Sequence, residues 1–177
     1  MLKLIVLEQD ARNHAILHVL YAAGLRVSEL CNLRWRDVIR RSDGVQLDII
    51  GKGDKQRHVL LSESSWQVLS VLREDAPDEG FVFQSRQEVS RQGYYKGARL
   101  DTTTIFLIVR EAARRAGVPN WAQVSPHWLR QCHGSHATDR KAPLTVVRDT
   151  LGHSNIAVTN EYAKARPDSS SAHYLPL

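Results

Sequence analysis

The 177-residue sequence predicts a mainly α fold that carries a small antiparallel β-sheet, an α+β arrangement. Three observations predict it. Apolar residues recur at helical spacing through most of the chain. A single stretch, residues 45–61, alternates and doubles back as a hairpin would. Glycine and proline punctuate the helical runs, with Gly24, Gly117 and Gly152 at stops and Pro126 and Pro143 at starts. At 42% hydrophobic, a chain of this length suits a single core and is short for two domains.

The opening residues 1–7 are apolar, but Glu8 and Asp10 follow at once without a small-residue cleavage site, which argues against a signal peptide or a membrane span. Ala15, Ile16, Val19, Leu20 and Ala23 define a helix over residues 11–23, stopped by Gly24. Residues 25–35 read as a second short helix with Leu30 and Leu33 inward and Arg26 in its first turn. An arginine there opposes the helix macrodipole, so an anion or the carboxylate of Glu29 should hold it. Residues 45–50 and 56–61 form the hairpin strands around Gly51-Lys52-Gly53-Asp54-Lys55. This turn lacks the spacing and the Ser or Thr of a nucleotide-binding P-loop. Lys52 near its tip is either a solvated turn residue or a proton donor reaching into a groove.

Residues 63–74 form an amphipathic helix through Trp66, Val68, Leu69 and Leu72, broken by Ala76-Pro77-Asp78-Glu79-Gly80 before a short strand, Phe81-Val82-Phe83. In residues 86–99, Arg86, Arg91, Lys96 and Arg99 stand against the single acid Glu88, with Tyr94 and Tyr95 between them. That composition fits a nucleic-acid contact loop, and equally a solvent-exposed loop. Asp101 caps a helix that ends at Gly117. Ser125 and Pro126 open another, placing His127 and Arg130 on one face. Pro143 opens a last short helix carrying Leu144, Val147 and Leu151 up to the Gly152 cap, and His153 follows directly. The closing serine-rich residues read as a tail.

The formal net charge of +5 favours a polyanionic partner. Cys31 and Cys132 are far apart, without CxxC spacing, and read as reduced buried thiols of a cytosolic or nucleoid-associated chain. His127, His133, His136 and Cys132 match no zinc spacing, so no metal is expected. Arg130 supplies a planar charged fork, His127 and His153 two imidazoles, and Tyr162 a hydroxyl able to attack phosphorus and carry an adduct. The grouping points to metal-free phosphoryl transfer.

Taken in order, Gly24-Leu25-Arg26-Val27-Ser28-Glu29-Leu30, Gly51-Lys52-Gly53-Asp54-Lys55-Gln56-Arg57, Ser125-Pro126-His127-Trp128-Leu129-Arg130, Leu151-Gly152-His153-Ser154 and Tyr162 resemble the tyrosine recombinases of the phage integrase family. The resemblance covers roughly residues 11–165 and is most specific at Leu-Gly-His followed by Tyr. It implies the integrase catalytic-domain fold, double-stranded DNA as substrate, and strand cleavage without cofactor. By resemblance Tyr162 is the nucleophile that forms a 3′-phosphotyrosine, Arg26 and Arg130 clamp the phosphate, and His153 bonds the same oxygens. His127 assists proton removal, Lys52 protonates the leaving 5′-oxygen, and Glu29 braces Arg26. Lys55, Arg57, Arg86, Arg91, Lys96 and Arg99 are the expected DNA contacts. Other recombinase subunits, in a tetramer assembled on DNA, are the implied protein partners, with Tyr174 and Leu175 of tail residues 163–177 as anchors.

The match is not complete. Gln131 stands where many members carry a second histidine, and His133 and Gly134 replace an aromatic residue and an alanine. Members carry a separate amino-terminal DNA-binding domain that is not seen before Met1, and the first catalytic-domain helix reads as clipped, so weak DNA binding is expected of this chain alone. Two alternatives stand beside the recombinase reading. A type IB topoisomerase shares the chemistry, but the Leu-Gly-His to Tyr spacing and the Gly-Leu-Arg signature favour a recombinase. A non-catalytic DNA-binding remnant is weighed against by the intact set Arg26, Lys52, His127, Arg130, His153 and Tyr162.

Overall fold

The computed structural model describes residues 2–51, 56–86, 97–153 and 159. Its elements follow in the order α1 (Leu2–Val6), α2 (Ala11–Ala22), α3 (Val27–Asn32), β1 (Val38–Arg41), β2 (Gly44–Ile50), β3 (Gln56–Ser62), α4 (Glu63–Ser70), α5 (Thr102–Arg115), α6 (Pro126–Asp139) and α7 (Leu144–Leu151). The strands form an antiparallel sheet in the order β1-β2-β3. The mainly α fold with a small antiparallel sheet is therefore present.

Helix α2 is the element the others pack around. Ala15, Ile16, Leu17, Val19 and Leu20 are all buried, so the apolar surface runs nearly round the helix, as it must where neighbours cover several sides. Its start is set by Asp10, whose side chain accepts from the Asn13 backbone N–H at 3.0 Å. Helices α4, α5 and α6 lie against it, and α7 packs on α6 and β3. Leu30, Trp35, Phe83, Ile105, Val109 and Leu129 complete the same core. On α5, Asp101 caps by accepting from the Thr104 backbone N–H at 2.9 Å.

Several boundaries differ from the sequence reading. Residues 2–6 are helical, because Leu4 and Ile5 find buried places while Glu8 pairs with Arg115 of α5. Arg26 precedes α3 as its N-cap rather than lying in the first turn, and the Glu29 carboxylate accepts its backbone N–H at 2.8 Å. Strand β1 was not anticipated; Arg41 pairs with Gly44 across a turn whose Asp43-Gly44 step is itself a hairpin signal. Helix α4 ends at Ser70, and the next residues close shorter turns, such as Leu72 N–H to the Leu69 carbonyl at 2.9 Å. Residues 81–83, expected as a strand, form an isolated bridge from Phe81 to Arg34 and a hydrogen bond from Val82 N–H to the Leu33 carbonyl at 2.9 Å, while Phe83 is buried as a core side chain.

Gly44 opens β2 opposite the end of β3, and a Cβ there would run into the backbone oxygen of Leu61. Gly44→Ala is therefore expected to destabilise the fold by about 1–3 kcal/mol, read as a lowered urea midpoint at unchanged slope.

Candidate active site

The chemistry-bearing residues meet where the ends of α2 and α7 face the start of α6 and the inner face of β3. Helix α7 stops at Gly152, whose φ of 64° is the left-handed turn that glycine adopts without strain. This turn leaves successive carbonyls of the helix end without intrahelical partners. Each of three takes a different arginine. Thr150 O accepts from Arg57 Nε at 2.8 Å, Leu151 O from Arg130 Nη2 at 2.6 Å, and Gly152 O from Arg26 Nη2 at 3.3 Å. Arg130 also donates to the Gly24 carbonyl just past α2, at 2.6 Å, and its residue is only 2% exposed.

Glu29 joins two of these arginines. Its side chain is 4% exposed, and a buried carboxylate needs its lone pairs satisfied. Oε1 accepts from Arg26 Nη1 at 2.8 Å and from Arg57 Nη1 at 2.9 Å; Oε2 accepts from the Arg26 backbone N–H at 2.8 Å and from Arg57 Nη2 at 2.8 Å. These bonds outweigh burial and hold the Glu29 pKa below its ordinary value. Arg26, 40% exposed, is thus tethered at its base while part of its guanidinium faces solvent.

His153 follows Gly152 and shares a hydrogen bond between its Nδ1 and the Thr159 hydroxyl at 3.0 Å. Burial first, then the charges of Arg130, Arg26, His127 and Arg57, lower its pKa from 6.5 to about 4. Positive groups from α3, β3 and α6 therefore converge on this imidazole. His127 is exposed in the first turn of α6, with Arg130 buried one turn on. Such a site is preorganised for an anion.

The remaining expected residues divide. Lys52, Lys55, Arg91, Lys96 and Tyr162 lie outside the described residues. Arg57, expected among the DNA contacts, is turned inward instead; its side chain is 11% exposed and three of its nitrogens are engaged by Glu29 and Thr150. A signal was present: Arg57 shares the strand face of Val59 and Leu61, which point into the core. Arg86 is exposed and pairs with Asp10 at 2.6 Å, while Arg99 donates to the Asn32 side chain at 2.7 Å. Together with Arg12, which the sequence reading passed over, these two line one groove. His133 and His136 are used structurally, through the Tyr21 carbonyl at 2.9 Å and the Tyr21 hydroxyl at 2.9 Å. Among the described residues no group of three or more His, Cys, Asp or Glu is placed to hold a metal, and no helix is long and apolar enough to cross a membrane. Burial pushes the Cys31 thiol up to about 11, which suits an inert core residue.

The model of the phage integrase family matches residues 3–168, and the chain belongs to that family. It is 37% identical over 151 residues to tyrosine recombinase XerC of Xanthomonas axonopodis pv. citri, covering 85% of this chain and 46% of that one. It is 33% identical over 169 residues to XerC of Bacillus pumilus, covering 93% and 53%. The chain thus spans about half the length of these curated relatives. Among solved structures, the XerA recombinase superposes with a TM-score of 0.73 at 28% identity, over 93% of this chain and 58% of that one. A XerH site-specific recombinase bound to its difH substrate shares the fold at a TM-score of 0.75 and 21% identity, over 93% and 48%.

The electrostatics generate a direct expectation for His153. The unfolded chain takes up its proton near pH 6.5 and the folded one near pH 4. The contribution to stability is therefore full above 6.5 and is lost as pH falls toward 4. NMR titration of the ring nitrogens should give a midpoint near 4, moving upward in Arg130→Gln; a midpoint near 6.5 in the unaltered chain would contradict the described surroundings.

Proposed function

We propose that this chain is a single catalytic domain of a site-specific recombinase or integrase, which breaks and rejoins DNA strands through a covalent phosphotyrosine. The observation that carries the proposal is the binding of Arg57, Arg130 and Arg26 to the successive carbonyls of Thr150, Leu151 and Gly152, directly before His153. Preorganised guanidinium groups, with that of Arg26 partly facing solvent, suit an anion, and a phosphodiester supplies one. Membership of the phage integrase family and the DNA substrate named for the XerH structure support DNA as the source of that phosphate.

In the proposed reaction the Tyr162 hydroxyl attacks phosphorus, forming a Tyr–O–P bond as the bond from phosphorus to the 5′-oxygen breaks. Tyrosine ordinarily titrates near pH 10, so its proton passes to His127 or to a phosphate oxygen as the new bond forms. Lys52 gives a proton to the departing 5′-oxygen. Arg26 and Arg130 hold the non-bridging oxygens, where negative charge grows in the pentavalent transition state, and His153 donates to the same oxygens. Burial and the neighbouring cations lower the His153 pKa to about 4, so in the chain without a bound anion it is a neutral hydrogen-bond donor at pH 7. Rejoining reverses each transfer, and the energy of the phosphodiester is retained in the adduct. Other subunits on DNA, in a tetramer, and a place in the cytoplasm at the nucleoid complete the proposal.

Incubation with a nicked suicide duplex, followed by denaturation, tests this reading. A covalent protein–DNA adduct is expected, absent in Tyr162→Phe, with Arg130→Gln slowed about a hundredfold to a thousandfold. An adduct that survives Tyr162→Phe would overturn the assignment.

A further inference from the structure

We infer that Arg57 is a positioning residue of the phosphate site, a side chain that locks the hairpin strand β3, the Glu29 carboxylate and the α7 end into one frame. The inference rests on the catalytic reading given above and extends it to a residue that makes no contact with the phosphate.

The geometry is that of a fork filled on several sides. Arg57 Nη1 and Nη2 meet the two oxygens of Glu29 in parallel, at 2.9 and 2.8 Å. Nε turns to Thr150 O at 2.8 Å. The flat of the side chain lies on Gly152, where a Cβ would come within 3.1 Å of Arg57 Cδ and 3.2 Å of Nη1. Each contact leads to a residue of the site. Glu29 passes the constraint to Arg26, whose Nη1 and backbone N–H bind the same carboxylate oxygens. Thr150 and Gly152 pass it to His153, next in the chain. Arg57 also follows Lys52 by five positions on the outgoing side of the hairpin.

A lysine cannot substitute here. It offers one compact ammonium, whereas three donors aimed in fixed directions are in use. Misplacing reacting groups by an ångström or so costs about a hundredfold in rate, so an indirect residue of this kind should be visible in the chemical step and nearly silent in DNA affinity. A true DNA contact gives the reverse pattern, weaker binding with one phosphate fewer in the salt dependence.

The test compares Arg57→Lys with the unaltered chain in three readouts: duplex affinity, adduct formation at saturating suicide duplex, and the His153 NMR midpoint. A melting curve accompanies each variant. For Arg57→Lys we expect affinity within about threefold, adduct formation slowed about tenfold to a hundredfold, and a His153 midpoint raised from about 4 toward 6.5. The charges facing His153 from Arg26, Arg130 and His127 remain in that variant, so a rise reports loosened packing. Arg57→Ala with added guanidinium forms the second arm and should regain the low midpoint. Weakened affinity with an unchanged saturated rate and an unchanged midpoint would overturn the inference in favour of a DNA contact, and failure of guanidinium to restore the midpoint would also count against it. If the unaltered chain forms no adduct, the catalytic reading fails, while the midpoint still decides the role of Arg57.

Discussion

Three successive carbonyls at the end of α7, each bound by a different arginine, are the constraint on which the site depends. The last carbonyls of a helix lack intrahelical partners and carry the negative end of its dipole, so cations placed there are favoured. A guanidinium taken out of water must find acceptors. Here each need meets the other: Thr150, Leu151 and Gly152 hold Arg57, Arg130 and Arg26. The left-handed Gly152 both ends the helix and leaves room for Arg57 to lie against its backbone. A side chain at that position would strain the turn and displace the arginine at the same time.

The second half of the frame is the buried Glu29 carboxylate. Removing one partner of such a pair leaves an uncompensated charge in the interior, at a cost of about 3–5 kcal/mol, so the arginines and the carboxylate stand or fall together. Arg130 is held from two helix ends, at Gly24 after α2 and at Leu151 of α7. In the proposed reaction, fixed donors of this kind need not reorganise as charge develops on the phosphate. Scaffold and site are therefore one structure: α2 packs on α6, and α7 on α6 and β3, because their apolar faces meet, and those same contacts bring the helix ends to the arginines.

Much of this was legible in the sequence. Helices α2, α5, α6 and α7 announced themselves through apolar spacing and through Gly24, Asp101, Pro126 and Gly152 at their ends. Arg26, Glu29, Arg130 and His153 were readable from residue type and spacing, and the structure brings them together. Helix α1 and strand β1 were harder, since five and four residues carry too little periodicity to separate from a loop, although Asp43-Gly44 marked the turn. Arg57, expected among the DNA contacts, instead lies on the inner face of β3 with Val59 and Leu61, held by Glu29 and Thr150. The carbonyl acceptors could not be read at all: every residue has one, and only folding selects Thr150, Leu151 and Gly152.

The proposed site has Arg26, Arg130 and His153 surrounding a single phosphate group. Crystals of the chain grown with orthovanadate, a mimic of the pentavalent phosphorus centre, test it most directly. The account predicts one vanadate within hydrogen-bond distance of Arg26, Arg130 and His153 together, with Glu29 still holding Arg26 and Arg57. Vanadate bound only elsewhere on the basic surface, or bound here with Arg26 swung away from Glu29, would contradict it.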